Sequence, residues 1–367
     1  MRDIDQGGSL INAIKNVDKR GKIMEKTIFN EFNSGKKILH YQDKLSRFFD
    51  AGKTLIVTEF DLTNRCNNNC PLCVGVKENG SELTWDEIKM IVAGLKKMGN
   101  QGVIISGGGE PLLHPDFVRV LELIKGTGME IGLNSNGLAL DREKALAIAK
   151  YCSYFRISLD AGTPEMYKKT HGMPEKSFKK VCDNMRLMAE VKKETGSPVS
   201  FTAGFLTGKA TVEDMEKFVL LCRDCGVGAA QFRPFTGDNT DISGEYLRLK
   251  EKYETEDFKV RASLQKYARF EKGPERDYCR CRGMFFSTVV TADAKVFACL
   301  HHRQDPDFLI GDMRGEGKTF EEVWNSYRKW QVYETIDLKR CPPYCRNDSF
   351  NIVLEDLAGD CIHKEFL

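Results

Sequence analysis

Between Leu55 and Phe235, six short apolar runs alternate with helix-forming segments, and that alternation restricts the chain to a parallel sheet covered by helices. The runs are Leu55–Leu62, Val103–Ser106, Ile131–Asn134, Tyr154–Leu159, Val199–Leu206 and Ala229–Phe235. The first helix runs from the capping box Thr84-Trp-Asp-Glu87 to about Met98. Pro115–Lys125, Asp141–Lys150, the pair Pro164–Lys169 and Ser177–Glu194, and Val212–Cys225 supply the others. A helix between two strands carries the chain back to the end where it started, so the strands pair in parallel with right-handed crossovers. Six units are fewer than a closed eightfold barrel needs. The expected class is α/β, a partial (β/α)6 barrel with a small C-terminal cysteine-rich domain.

Residues 1–53 read as a helical N-terminal extension and 54–236 as the barrel. A charged connecting segment, 237–274, carries one helix at Glu245–Tyr253. Residues 275–350 turn short-stranded: Met284–Val290, a turn at Ala292-Asp293-Ala294, Val296–Leu300, then a helix near Phe320–Trp330, with 351–367 a tail. Net charge is +2 and both signs are spread along the chain, so nothing argues for nucleic acid or a membrane surface. The basic stretch Lys15–Lys26 reads as a solvated helix face. No apolar stretch approaches the ~20 residues of a membrane span, and the opening residues contain no signal-peptide core. A cytoplasmic location is expected. In that reducing compartment, 13 cysteines point to metal binding or reactivity rather than a disulfide scaffold.

Directly after the first apolar run comes Asp61-Leu-Thr-Asn-Arg-Cys66-Asn-Asn-Asn-Cys70-Pro-Leu-Cys73. Three thiolates on one loop could hold zinc, but structural zinc takes four protein ligands, and no fourth lies nearby in sequence. On a four-iron cluster, three ligands leave one iron open. This loop resembles the signature of the radical S-adenosylmethionine (SAM) superfamily, although Leu72 stands where that family carries an aromatic residue. The resemblance implies that Cys66, Cys70 and Cys73 bind a [4Fe-4S] cluster whose open iron chelates SAM. Cleavage of SAM would then yield a 5′-deoxyadenosyl radical that abstracts a substrate hydrogen atom.

Neighbouring motifs extend the resemblance, which covers roughly residues 55–350. Ser106-Gly-Gly-Gly-Glu110-Pro111 is similar to the family's Gly-Gly-Glu motif, which implies that Gly108, Gly109 and Glu110 hold the SAM amino group. Arg156, Ser158 and Asp160 alternate on one face of the fourth strand and need polar partners there. The family uses that strand for the SAM carboxylate and ribose. Asn134 and Asn136 resemble further cofactor contacts. Gly204-Phe-Leu206-Thr-Gly208 resembles the adenine-side motif, with Thr211 in place of its terminal Glu. Gln231 and Arg233 alternate on the sixth strand, and Arg233 is the candidate catalytic residue, facing cofactor or substrate.

A second set, Cys281, Cys299, Cys341 and Cys345, offers four thiolates, enough to saturate a four-iron cluster or to hold a structural zinc. The arrangement resembles the twitch version of the SPASM extension of radical SAM enzymes, with Ala294 where Gly is common, and implies one auxiliary [4Fe-4S] cluster. Spacing leaves open whether Cys279 or Cys281 is the ligand, and assigns no role to Cys361. Cys152, Cys182, Cys222 and Cys225 read as buried packing residues. His301 and His302 read as surface or supporting residues, while His171 follows the fourth strand and could approach substrate.

The combined expectation is oxidation, or epimerisation, of a hydroxylated small molecule such as a sugar or aminocyclitol, the auxiliary cluster accepting the leftover electron. The alternative is modification of a ribosomally made peptide by crosslinking or epimerisation. Peptide-modifying relatives often carry a β-rich leader-binding module, and residues 1–53 look helical and short for one. A reducing partner such as flavodoxin or ferredoxin is implied. The remaining possibility, a non-enzymatic zinc-binding module, predicts zinc and no SAM cleavage.

Overall fold

Ten strands form one sheet in the computed structural model of the chain, in the order β10-β9-β8-β1-β2-β3-β4-β5-β6-β7. The structure describes residues 35–46, 48, 54–71, 73, 75, 80–267, 275–343 and 345–359. Strands β1 (Val57–Asp61), β2 (Gly102–Ser106), β3 (Glu130–Ser135), β4 (Tyr154–Ser158), β5 (Ser200–Thr207) and β6 (Ala229–Pro234) follow the six apolar runs, each parallel to the next. Between them lie α2 (Trp85–Lys97), α3 (Phe117–Gly126), α4 (Arg142–Tyr151), α5 (Pro164–His171), α6 (Glu175–Thr195) and α7 (Met215–Asp224), preceded in the chain by the short α1 (Gln42–Ser46). Of residues 1–53, the structure describes a 3-10 turn at Gly35–His40, α1 and Phe48; the expected helix elsewhere in that extension lies outside the described residues.

Local chemistry explains these boundaries. Thr84 caps α2 by accepting the Glu87 N–H at 3.3 Å, and Glu87 accepts the Thr84 N–H at 2.7 Å. Ile88, Ile91, Val92 and Leu95 recur at helical spacing and form its buried face. Outward-facing residues of β5 and β6 meet α7 through Phe205, Phe218 and Phe232, with ring centroids 4.9–5.9 Å apart.

The sheet runs past residue 236, where the sequence reading ends the barrel. After α8 (Ser243–Tyr253), β7 (Lys259–Ala262) pairs in parallel with β6, and α9 (Leu264–Tyr267) follows. Lys259 and Arg261 put charge on alternate positions of β7, which made this edge strand look like loop. On the other flank, β8 (Ser287–Val290) pairs in parallel with β1. The cysteine-rich unit therefore continues the barrel sheet. Its hairpin partner β9 (Lys295–Phe297) and then β10 (Leu309–Asp312) add antiparallel. Ala294 turns that hairpin at φ 61°, a left-handed conformation that suits glycine. Helices α10 (Met313–Glu316), α11 (Phe320–Trp324) and α12 (Tyr327–Thr335) pack here, and α13 (Asp348–Ala358) returns against the Gly35–His40 turn. Arg314 ties this unit to α2 by a 2.5 Å ion pair with Glu87, whose carboxyl it holds down at about 2.

Candidate functional site

A cavity of about 1190 Å³ occupies the barrel. Cys66, Cys70 and Cys73 line it, on the loop that leaves the carboxyl end of β1. Backbone bonds hold that loop: Asn64 N–H donates to Ser81, Glu110 N–H to Arg65 and Asn69 N–H to His171. N–H groups also face two of the sulfurs, Gly75 N at 3.3 Å from Cys73 Sγ and Asn136 Nδ2 at 4.0 Å from Cys66 Sγ.

The glycine run at the end of β2 packs against the same loop. Gly109 N–H donates to Thr63, and a Cβ at Gly109 would sit 2.1 Å from the Arg65 carbonyl oxygen. The close approach demands glycine here, between two stretches of backbone. Gly108 and Glu110 line the cavity. The Glu110 carboxylate accepts from Ser135 Oγ at 2.7 Å, Asn136 N at 2.7 Å and Leu112 N at 3.0 Å. Burial nevertheless raises its pKa. Glu110 thereby joins the ends of β2 and β3 beneath the cysteine loop.

Asn134, Asn136, Arg156, Ser158, Asp160 and Leu206 also line the cavity. Asp160 adopts φ 48° and accepts the Leu206 N–H at 2.7 Å. Thr211 closes the turn after β5, accepting from Gly208 N at 3.0 Å and donating to the Leu206 carbonyl at 2.8 Å. This accounts locally for Thr at that position. Arg233 reaches back from the end of β6, and its Nη2 lies 3.2 Å from where a Gly204 Cβ would be. Arg156 Cδ lies 3.4 Å from the same point. The missing side chain of Gly204 thus makes room for two neighbouring guanidinium groups. Burial, with the charge of Arg233, pulls Arg156 down to about 9. Gln231 is buried and does not line the cavity.

Four charged residues of the chamber, Glu59, Lys266, Arg303 and Arg346, escaped the sequence reading, as did the fully buried Asp61 that Arg303 pairs with. Arg303 donates to Asp61 at 2.7 and 3.1 Å and to Glu59 at 2.9 Å, while Arg346 donates to Glu59 at 2.6 Å. Lys266 of α9 is pulled down to about 8 by burial and by Arg233, Arg156 and Arg346. Glu59 and Asp61 alternate on β1 just as Arg156 and Ser158 do on β4, and that period could have revealed them. No local pattern marks Arg303, Arg346 or Lys266.

In the second set, Cys281, Cys299, Cys341 and Cys345 perturb one another's titration in every pairing, so the fold brings all four together. Burial raises their pKa values, to about 11 for Cys281 and Cys341 and about 12 for Cys299. Asn351 Nδ2 faces Cys281 Sγ at 3.7 Å, and Asn347 N faces Cys345 Sγ at 3.4 Å. Cys279 points away, its thiol donating to Glu355 at 3.2 Å. Of the four, Cys345 is the one that lines the barrel cavity. Among the described residues, no three Cys, His, Asp or Glu side chains converge at the distances of a single bound ion. Leu72 and Cys361 lie outside the described residues.

His171 lines the cavity, but its Nε2 is 3.1 Å from the Ser158 carbonyl and its ring stacks on Tyr167 at 4.4 Å. His301 lines the cavity too, whereas His302 stacks on Phe308 at 3.8 Å. Cys152, Cys182, Cys222 and Cys225 are buried. Among the described residues, no helix is long and apolar enough to cross a membrane.

Residues 60–222 match the family model of the radical SAM superfamily. The chain is 28% identical over 203 residues to a probable GTP 3′,8-cyclase of Methanocaldococcus jannaschii, covering 54% of this chain and 65% of that protein. To the AdoMet-dependent heme synthase of Methanosarcina barkeri it is 28% identical over 174 residues, 46% of this chain and 48% of that one. The chain thus spans two thirds or less of the length of these curated relatives. Its fold is similar to that of Streptococcus suis SuiB bound to precursor peptide SuiA, with a TM-score of 0.62 and 12% identity over 82% of this chain and 72% of that one. It is also similar to native anSMEcpe with bound AdoMet, with a TM-score of 0.56 and 16% identity over 80% and 90% of the two chains.

Proposed function

The chain belongs to the radical SAM superfamily, and from that premise we propose that it oxidises a hydroxylated small molecule inside the barrel cavity. One observation carries this reading: the Cys66–Cys73 loop and Cys345 of the second cysteine set open onto the same chamber. A radical source and an electron acceptor that share one substrate are what a two-electron oxidation needs.

The residues suit both groups. Thiolates buried as deeply as those of the second set need cationic iron to be stable, and N–H donors already face the sulfurs of both sets. Cys66, Cys70 and Cys73 would hold the cluster with an open iron, and Cys281, Cys299, Cys341 and Cys345 the saturated one. Asn134, Asn136, Arg156, Ser158, Asp160 and the Leu206 backbone, with Gly108, Gly109 and Glu110, would hold SAM. When bound, these groups supply the 5′-deoxyadenosyl radical and a sink for the second electron, with flavodoxin or ferredoxin as the reductant.

The chain itself shapes and shields the chamber. Ile38 and Tyr41 near the N-terminus, with Phe350 and Ile352 of α13, line it beside Ile56 and Val57 at the start of β1, and so cover the end of the barrel opposite the cysteine loop. Arg303 and Arg346 hold Glu59 ionised, their charges outweighing the effect of its burial. A chamber closed below, into which Arg156, Asp160, Arg233 and Lys266 bring charge, favours a compact, hydrophilic substrate.

Anaerobic reconstitution followed by SAM, reductant and a panel of carbon-deuterated polyols tests the proposal. The expected result is polyol-dependent 5′-deoxyadenosine that carries substrate deuterium. Deuterium transfer from a ribosomal peptide, and from no polyol, would overturn it.

A further inference from the structure

The cavity is lined by seven lysines and arginines against five carboxylates. Their pairing is uneven. Arg303 and Arg346 are paired with Glu59 and Asp61, whereas Arg156, Arg233 and Lys266 form no side-chain hydrogen bond or ion pair among the described residues. The Nε atoms of Arg156 and Arg233 are buried without any acceptor among the described residues. Three like charges in one chamber raise the cost of desolvating one another, and a bound anion offsets that cost.

We propose that the substrate carries a dianionic oxyanion, with the chemistry of a phosphate ester, which Arg233 and Lys266 bind. This rests on the reading of the barrel cavity as the substrate chamber. SAM supplies one carboxylate of its own, for which Arg156 on β4 is the resemblance-implied partner. Arg233 and Lys266 stand on β6 and on α9 beyond β7, on the other side of Gly204 from β4, and remain for a second anion. The guanidinium fork of Arg233 suits bidentate contact with phosphate oxygens, and the Lys266 ammonium adds a compact charge. Gly204 is part of the site, since a side chain there would fill the space between Arg156 and Arg233. A phosphate monoester brings about two negative charges at neutral pH, enough to face both Arg233 and Lys266.

The test is calorimetric titration of the reconstituted protein, saturated with SAM, with inorganic phosphate and with inorganic pyrophosphate. Saturable binding is expected, weakened at least about tenfold in Arg233→Gln and in Lys266→Gln. Arg142→Gln, which removes a surface partner of Glu194, should bind as wild type does. Gly204→Val should weaken binding without removing a charge. Absence of saturable binding to either anion, or equal affinity in the wild type and both cavity variants, overturns the inference. SAM cleavage measured on the same preparations separates the two claims. Protein that cleaves SAM but ignores both anions refutes the anion site alone, and protein that binds anion but never cleaves SAM refutes the enzyme reading alone.

Discussion

Replacing Arg303 with Met should destabilise the protein more than replacing any other arginine of the cavity. Its side chain is 5% exposed, and its guanidinium meets Asp61, 0% exposed, and Glu59, 9% exposed. Glu59 keeps Arg346 in the variant, but Asp61 keeps no partner among the described residues. Stranding one buried carboxylate in this way costs about 3–5 kcal/mol. At ~2.1 cal/mol/K per residue of unfolding entropy, that becomes a fall of roughly 4–6 °C in Tm. The pH dependence follows from Asp61. Burial already holds its pKa above the ordinary carboxyl value despite Arg303, and losing Arg303 pushes it higher. A carboxyl with a raised folded-state pKa loses stability as pH climbs through that value. The gap between wild type and variant should therefore be widest near pH 8 and narrow toward pH 5.5. Arg233→Gln, which removes an unpaired cation, should leave Tm unchanged or raise it. Anaerobic circular-dichroism melts across that pH range are the assay. A gap at pH 8 under about 2 °C, or one that widens on acidification, would refute the charge account.

Two further predictions concern the cysteine sets. Gly109→Ala places a Cβ against the Arg65 carbonyl, so the first cluster should assemble poorly and iron per chain should fall from about eight toward about four; undiminished iron would show that the backbone contact yields freely. Cys279→Ser should keep about eight irons per chain, while Cys281→Ser should lose the auxiliary cluster. The reverse result would move the ligand to Cys279.

Period and punctuation carried most of the barrel. Capping chemistry at Thr84, Asp141 and Thr163 sets where helices begin, and short apolar runs mark β1 to β6, because both signals act within a few residues. The parallel pairing of β8 with β1 joins residues more than two hundred positions apart, and no local pattern encodes it. β7 was hidden because an edge strand needs only one apolar face, and Lys259-Val-Arg-Ala262 is half charged. At the site, motif residues were legible because their spacing is fixed by backbone geometry. Lys266, Arg303 and Arg346 were not, since each enters the cavity from a separate loop or short helix. The roles of Gly109 and Glu110 required the fold itself, because their partners are Arg65 and Asn136.

The proposed activity depends above all on the Cys66–Cys73 loop holding an iron with an open position that serves SAM. Its most direct test is 5′-deoxyadenosine formation by the reduced, reconstituted protein given SAM, followed by mass spectrometry. Formation is expected in the wild type and its loss in Cys66→Ala, with the auxiliary cluster still present in that variant. Reduced protein with a full complement of iron that yields no 5′-deoxyadenosine, or a Cys66→Ala variant that yields as much as wild type, would contradict it.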